Sequence, residues 1–515
     1  MKSKIVSREE AVAKIKDNDV VAGVGAQVNC CPEGLFIALE ERFLHTGSPK
    51  NLTLIGACAL GLGKTGGGNH LAHEGMLKKA VLGHFKPVAL ISKMVAEEKI
   101  EGYCIPQGVF THLYRDIAAK KPGLLTEIGL GTFIDPRLQG GAANAISKDK
   151  VAELLNIEGK EYLLYKTFPI DIALIRGTTA DSKGNVSLEK EPAELECLAL
   201  AQAVRNSGGI VIVQVERIAA DGAIPARNVR IPGAFVDYIV VCQDVDLEHR
   251  MTTGTTYHPS FSGELKTPYP SYEAQKHKDD ITAVICKRAA LEIISGDVIN
   301  IGLGIPAGVA YEAHKSGILQ ETMMSVELGA FGGQPAAFPN FGAVWNPDAY
   351  IPQPSMFDFY HGGGLSVSFV GAGELDHQGN INVSKLGNEV GGTGGFIDIT
   401  QPSQRIVFCM PFKDKDLEVK AEGGVLKIVR EGLRVKCVRN SAHITFSGEY
   451  ARKLGKKVLI VTERCVFSLE PAGVMLAEIA PGIRLEEDIL KQMDFQPLIA
   501  EDLKIMPAGC FDGEA

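Results

Sequence analysis

The sequence has no uncharged apolar run near the ~20 residues that a membrane-spanning helix requires, so no membrane association is expected. Its eleven cysteines are odd in number, scattered, and nowhere spaced as C-x-x-C. That pattern excludes a disulfide framework or a zinc ribbon and fits reduced thiols in a cytoplasmic protein. Excess positive charge is also missing. With a net charge of -9, the chain is a poor partner for nucleic acid, whose phosphates favour basic faces. A phosphorylated ligand would have to be met by a local basic or backbone-amide site. The first stretch, "MKSKIVSREEAVAKI", is charged throughout and lacks the apolar core of a signal peptide.

What is present is ordinary for a globular protein: 45% hydrophobic and 22% charged residues in a chain of 515, long enough for more than one domain. The chain is also written twice. "SREEAVAKIKDNDVVAGVGAQVNCCPEGLFIALEERF" reads helix, strand, glycine loop, helix, with a Ser7–Glu10 capping-box pattern and Pro32 in the first turn of the second helix. "ITAVICKRAALEIISGDVINIGLGIPAGVAYEAHK" repeats that order, and Pro306 answers to Pro32. Later, "ALIRGTTADSKGNVSL" matches "SFVGAGELDHQGNINV", setting Asp181, Gly184 and Asn185 against Asp376, Gly379 and Asn380. The expectation is an α/β protein of two similar, open, largely parallel-sheet domains that arose by internal duplication. Their bounds are read as 1–243 and 278–515, joined by a polar, exposed linker over 244–277.

One residue stands out against the repeat. In "MMSVELGAFGGQPAAF", Glu327 is the only charge, following a predicted buried strand Met323–Val326 and preceding Gly329, Gly332 and Gly333. A bare carboxylate is costly to desolvate. Aligning "LIGACALG" with "SVELGAFG" places Gly56 opposite Glu327, so the repeated architecture does not require an acid there. The glycines let a bulky group approach. Glu327 is therefore a candidate for chemistry, with a buried salt-bridged carboxylate as the plainer alternative.

Other motifs are weaker. "GLGKTGGG" resembles a phosphate-binding loop, but Cys58 stands where the first glycine is needed. His70 and His73 in "HLAHE" lack the further spacing of a metal site, so no metal is assigned. "INIGLGIPAG" is half of a Rossmann fingerprint, with Glu327 some 25 residues on, which keeps a nicotinamide-dependent oxidoreductase open.

Taken together, "SVELGAFGG", "VVAGVGAQVNCCPEGL", "IPQGVFTHLYRDIAA", "DPRLQGGAAN", "DFYHGGGLSVSFVG" and "TERCVFSLEPAGVMLAEIAPGI" resemble the family I coenzyme A transferases, specifically the short-chain acyl group of propionate and acetate CoA-transferases. The resemblance spans nearly the whole chain. It implies CoA-transferase domains of the alpha-subunit and beta-subunit kinds, the second carrying the catalytic glutamate. It also implies transfer of CoA from a short-chain acyl-CoA to a free carboxylate by a ping-pong route through glutamyl–acyl anhydride and glutamyl-CoA thioester. Glu327 is the implied nucleophile, in surroundings that strip it of water and protect its adducts. Gln107 is the implied amide donor to the developing oxyanion. Gly302, Leu303, Gly304, Ile305 and Pro306, with Gly392, Gly394 and Gly395, are implied to lie along the pantetheine and the reacting carbonyl. Leu328 departs from the small or polar residue that many members carry there. Expected partners are acyl-CoA and small carboxylates, with no cofactor because coenzyme A is itself a substrate, in a homotetramer or homodimer. An acyl-CoA thioester hydrolase is the remaining alternative.

Overall fold

A computed structural model describes residues 3–272 and 276–512. The chain forms two compact units: Met1–Tyr269 with Val326–Asp358 and Gly387–Asp398, and Pro270–Ser325 with Phe359–Leu386 and Ile399–Ala515. The capping box forms as the sequence predicts. The Ser7 side chain accepts from the Glu10 amide, and the Glu10 carboxylate accepts from the Ser7 amide. Pro32 sits at the N-cap of helix Glu33–Thr46, which ends on Gly47 at φ +68°.

The first unit is built on strands β1 (Val20–Gly23), β2 (Leu52–Gly56), β3 (Leu77–Leu82), β4 (Glu101–Cys104), β5 (Ile172–Asp181), β6 (Ile210–Ala219) and β7 (Tyr238–Val241). They run in the order β7-β6-β5-β1-β2-β3-β4, all neighbours parallel. A parallel sheet is covered on both faces, so its strands read as continuous apolar runs rather than alternating ones. Accordingly every residue of β5 is buried.

The second unit uses β8 (Val298–Ile301), β9 (Met323–Val326), β10 (Val367–Gly371), β11 (Arg405–Cys409) and β12 (Lys457–Val461), ordered β9-β8-β10-β11-β12 and parallel throughout. That is the order of β2-β1-β5-β6-β7 in the first unit. The second sheet then continues through β13 (Cys465–Glu470), β14 (Gly473–Ile479) and β15 (Leu498–Ile505), antiparallel at its first two pairings.

The repeat persists at atomic detail. Asn185 donates to the Asp181 carboxylate from its backbone N–H and from its side-chain amide, both at 2.9 Å. Asn380 does the same to Asp376, at 3.0 and 2.9 Å.

Two expectations need correction. The segment after residue 244 is not simply an exposed linker: Thr252, Ser260 and Phe261 are fully buried. Thr252 and Ser260 are satisfied within the first unit, Thr252 Oγ1 donating to Asn340 Oδ1 at 2.6 Å and Ser260 Oγ to Asn346 Oδ1 at 2.9 Å. Phe261 packs in a small core with Met251, Ala336 and Ala343. In β9, Met324 and Ser325 are buried but Met323 is exposed, at the point where the chain leaves the 3-10 turn Ile318–Glu321.

Candidate active site

Glu327 follows β9 directly, in a turn closed by the Gly329 N–H donating to the Val326 carbonyl at 2.9 Å. Gly329 is obligatory there. Its φ is +116°, and a Cβ would run into the carbonyl oxygen of Ile351, whose own N–H donates to Gly329 O at 2.9 Å. Glu327 itself is half-buried, between the half-buried Val326 and the buried Leu328. This is more open than a carboxylate sealed in apolar surroundings, because it sits on a turn rather than inside the strand.

The first unit gathers Gln107 and the Gly391–Gly395 loop into one local structure. Gln107 opens helix Gln107–Ala118, and its backbone N–H donates to the Gly394 carbonyl at 3.0 Å. The helix start is held by Asp398, whose two carboxylate oxygens accept from Gly108 N at 3.0 Å and Val109 N at 3.2 Å. These amides have no partner within the helix, and a carboxylate suits the positive end of its dipole. The loop is pinned to the end of β3 as well. Thr393 N and Gly394 N donate to Gly83 O at 3.0 and 2.7 Å, while Phe85 N donates to Gly391 O at 2.9 Å. Gly392 and Gly394 adopt φ +75° and +52°, which the tight clamp requires.

The Gln107 side chain is fully buried, and its Nε2 has no hydrogen-bond partner among the described residues. A buried amide donor without a partner costs free energy unless something accepts from it. His84 lies beside it: a Cβ placed on Gly394 would be 3.5 Å from His84 Nδ1 and 3.8 Å from Gln107 Oε1. Desolvation, aided by Lys86, pushes the His84 imidazole down to about 4. It is therefore neutral at physiological pH and offers an N–H rather than a charge.

The loop Gly302–Pro306 belongs to the second unit. Gly302 N donates to Phe369 O at 2.8 Å, Gly304 has φ +78°, Leu303 is exposed, and Pro306 is the N-cap of helix Ala307–Lys315. Within that unit, Tyr360 donates its hydroxyl to Ser325 Oγ at 2.9 Å, and Asn300 Nδ2 donates to Ser325 O at 3.2 Å. These bonds fix the strand that leads into Glu327.

The weaker motifs resolve structurally. Gly61–Gly68 leads into a 3-10 turn, Gly67–Leu71, instead of a phosphate-cradling α-helix. His70 bridges Glu33 and Glu40, and His73 Nε2 meets Glu40 at 2.6 Å, so both histidines are engaged by carboxylates.

Comparison with known proteins now assigns the class. The sequence profile described as "Coenzyme A transferase" matches residues 5–242. The caffeate CoA-transferase of Acetobacterium woodii is 44% identical, over 99% of this chain and 97% of its own length. The acetate CoA-transferase YdiF of Escherichia coli K12 is 38% identical, over 98% of this chain and 95% of its own. The crystal structure of the YdiF apoenzyme from E. coli O157:H7 superimposes with a TM-score of 0.92 at 38% identity, covering 100% of this chain and 97% of that one. The structure of the same enzyme as a thioester complex with CoA gives 0.90 at 37% identity, covering 99% and 96%. This chain belongs to the coenzyme A transferase family.

Sequence reasoning passed over His84, Asp398 and Glu196. Glu196 carries no such signal as singled out Glu327, because Glu191 and Glu194 stand close by in "EKEPAELECLALAQAV".

Proposed function

We propose that this protein transfers coenzyme A from a short-chain acyl-CoA to a free carboxylate, with Glu327 as the covalent nucleophile. The observation that carries this reading is Glu327, an acid on a glycine-bounded turn at the end of a parallel strand, in a chain 38% identical over 98% of its length to an acetate CoA-transferase. A Glu327 oxygen attacks the thioester carbonyl carbon and the C–S bond breaks, giving an acyl–glutamyl anhydride and CoA thiolate. The thiolate attacks the glutamyl carbonyl, the anhydride C–O bond breaks, and the acyl group leaves as its carboxylate. The acceptor acid then reverses these steps on the glutamyl-CoA thioester. An anhydride keeps the acyl group activated, which a serine ester would not. Gln107 Nε2 is the donor we assign to the oxyanion, with His84 N–H beside it.

The glycine segment Gly392–Gly395, in the same unit as Gln107 and Glu327, is read as backbone that lies along the pantetheine. Acetate and propionate are the acids proposed, since one methylene changes binding by only ~1–3 kcal/mol in an apolar pocket. A homo-oligomer working in the cytoplasm, without a cofactor, completes the proposal. The test is transfer of label from acetate into acetyl-CoA. Exchange is expected. Saturable acyl-CoA binding without exchange would indicate a sensor, and release of free acid without an acceptor would indicate a hydrolase.

A further inference from the structure

A cavity of about 520 Å³ lies in the second unit at the starts of β10, β11 and β12, and serves no step above. Glu327 follows the opposite, C-terminal end of a strand of the same sheet, β9. The strand register sets the cavity's floor. Val407 pairs with Leu459, and Leu459 with Ser468, so these three side chains stand in one row across β11, β12 and β13. Two residues nearer the strand starts, Arg405 pairs with Lys457 in a second row on the same face. β13 has no counterpart in the first sheet, which ends at β7. The duplicated fold therefore does not require this recess.

The walls run against the charge of the chain. The net charge is -9, yet Arg405, Arg452, Lys456 and Lys457 line this cavity against only Glu292 and Glu470. Two of the six are already matched elsewhere: Arg405 pairs with Asp297, and Glu292 with Arg288 at 2.7 Å. Of the other four, three are cations and one, Glu470, is an acid. Arg452 donates to Gln378 O at 2.6 Å and Lys456 to Pro402 O at 2.9 Å, both neutral carbonyls. The Lys457 ammonium and the Ser468 hydroxyl have no hydrogen-bond partner among the described residues.

We infer that this cavity binds an aliphatic monocarboxylate, its chain over Val407 and Leu459 and its carboxylate met by Arg452, Lys457 and the Ser468 hydroxyl. The inference does not use the transferase reading of Glu327. The volume falls within the roughly 300–1,000 Å³ of small-molecule pockets. Neighbouring strands lie about 4.8 Å apart, so the row of three spans ~10 Å, the reach of an extended chain of about eight carbons. An alkyl chain gains by leaving water for the apolar floor, and guanidinium and ammonium donors hold a carboxylate by charge-assisted hydrogen bonds. Among the described residues no aromatic side chain lines the cavity, so a nucleotide would lack the ring on which its base stacks. A dianionic phosphate also fits poorly. Glu470 borders the site, and helix Gly448–Lys453 brings its C-terminal end to the cavity, not the N-terminal amides that phosphates favour.

The experiment titrates the full chain calorimetrically with octanoate, octanol and octylammonium, with excess acetate present to occupy the transferase acid site. Octanoate is expected to bind saturably at about one per chain and at least about tenfold more tightly than octanol, with octylammonium weakest. Lys457→Glu reverses an exposed charge, and Ser468→Met fills the floor of the cavity. Each is expected to weaken octanoate binding at least about tenfold, while exchange of acetate into acetyl-CoA keeps the rate of the unmodified protein. Exchange at that rate shows that the variant is folded. Equal affinity for octanoate and octanol, no saturable octanoate binding, or undiminished octanoate binding in either variant that still exchanges acetate overturns the inference.

Discussion

The backbone N–H of Gln107 donates to the carbonyl of Gly394 at 3.0 Å, joining positions 287 residues apart in sequence. The Gln107 side chain is consequently fixed by a clamp that does not use its own amide group. Gln107→Leu should preserve the clamp and the fold while lowering kcat/KM for acyl transfer by roughly 100-fold, the usual effect of removing one oxyanion donor. Steady-state kinetics with a matched thermal melt checks this. An unaltered rate in a folded variant would remove Gln107 from the mechanism. Asp398→Asn should weaken the helix start by about 1 kcal/mol and reduce the rate through misplacement of Gln107.

Gly329→Ala tests the turn that carries Glu327. The added methyl meets the Ile351 carbonyl in a backbone conformation that alanine avoids. The turn must shift. The expected result is a loss of about 2 kcal/mol or more in stability and a larger proportional loss in kcat than in acyl-CoA affinity. Equal losses in both would mean that the turn supports binding and not the position of the nucleophile.

How much of this was legible in the sequence follows from where each contact lies. The Asp181–Asn185 and Asp376–Asn380 turns are local, and their matching spelling gave matching geometry. That the two sheets share one strand order followed from the duplication, but the order itself came only from the structure. The capping of Gly108 and Val109 by Asp398 could not be read, because no local pattern links residues some 290 positions apart. The segment after residue 244 misled for a different reason. Its threonines and serines suggested solvent, whereas Thr252 and Ser260 are buried against asparagine side chains of a distant loop. Polarity indicates a need for hydrogen bonds, and protein can supply them as well as water.

Glu196 makes stability depend on pH. Burial raises its carboxyl from the ordinary 4.5 to about 8. Between those values the folded chain holds a proton that the unfolded chain has released, so this group's contribution to stability is lost as pH rises across the window. Chemical denaturation at a series of pH values should show a decline from 4.5 to about 8 that is shallower in Glu196→Gln. Parallel slopes in the two proteins would show that Glu196 ionises normally.

The account stands or falls on covalent chemistry at Glu327. Incubated with acetyl-CoA and no acceptor, the intact protein should gain the mass of CoA less water, about one per active chain, located on the Glu327 peptide and removed by added acetate. Borohydride should reduce that thioester to an alcohol and inactivate the enzyme only after acyl-CoA has been supplied. Glu327→Ala should fold, because Gly56 occupies the matching position at the end of β2, yet acquire no adduct and no turnover. A folded Glu327→Ala protein that still exchanges acetate into acetyl-CoA at an ordinary rate would contradict the mechanism.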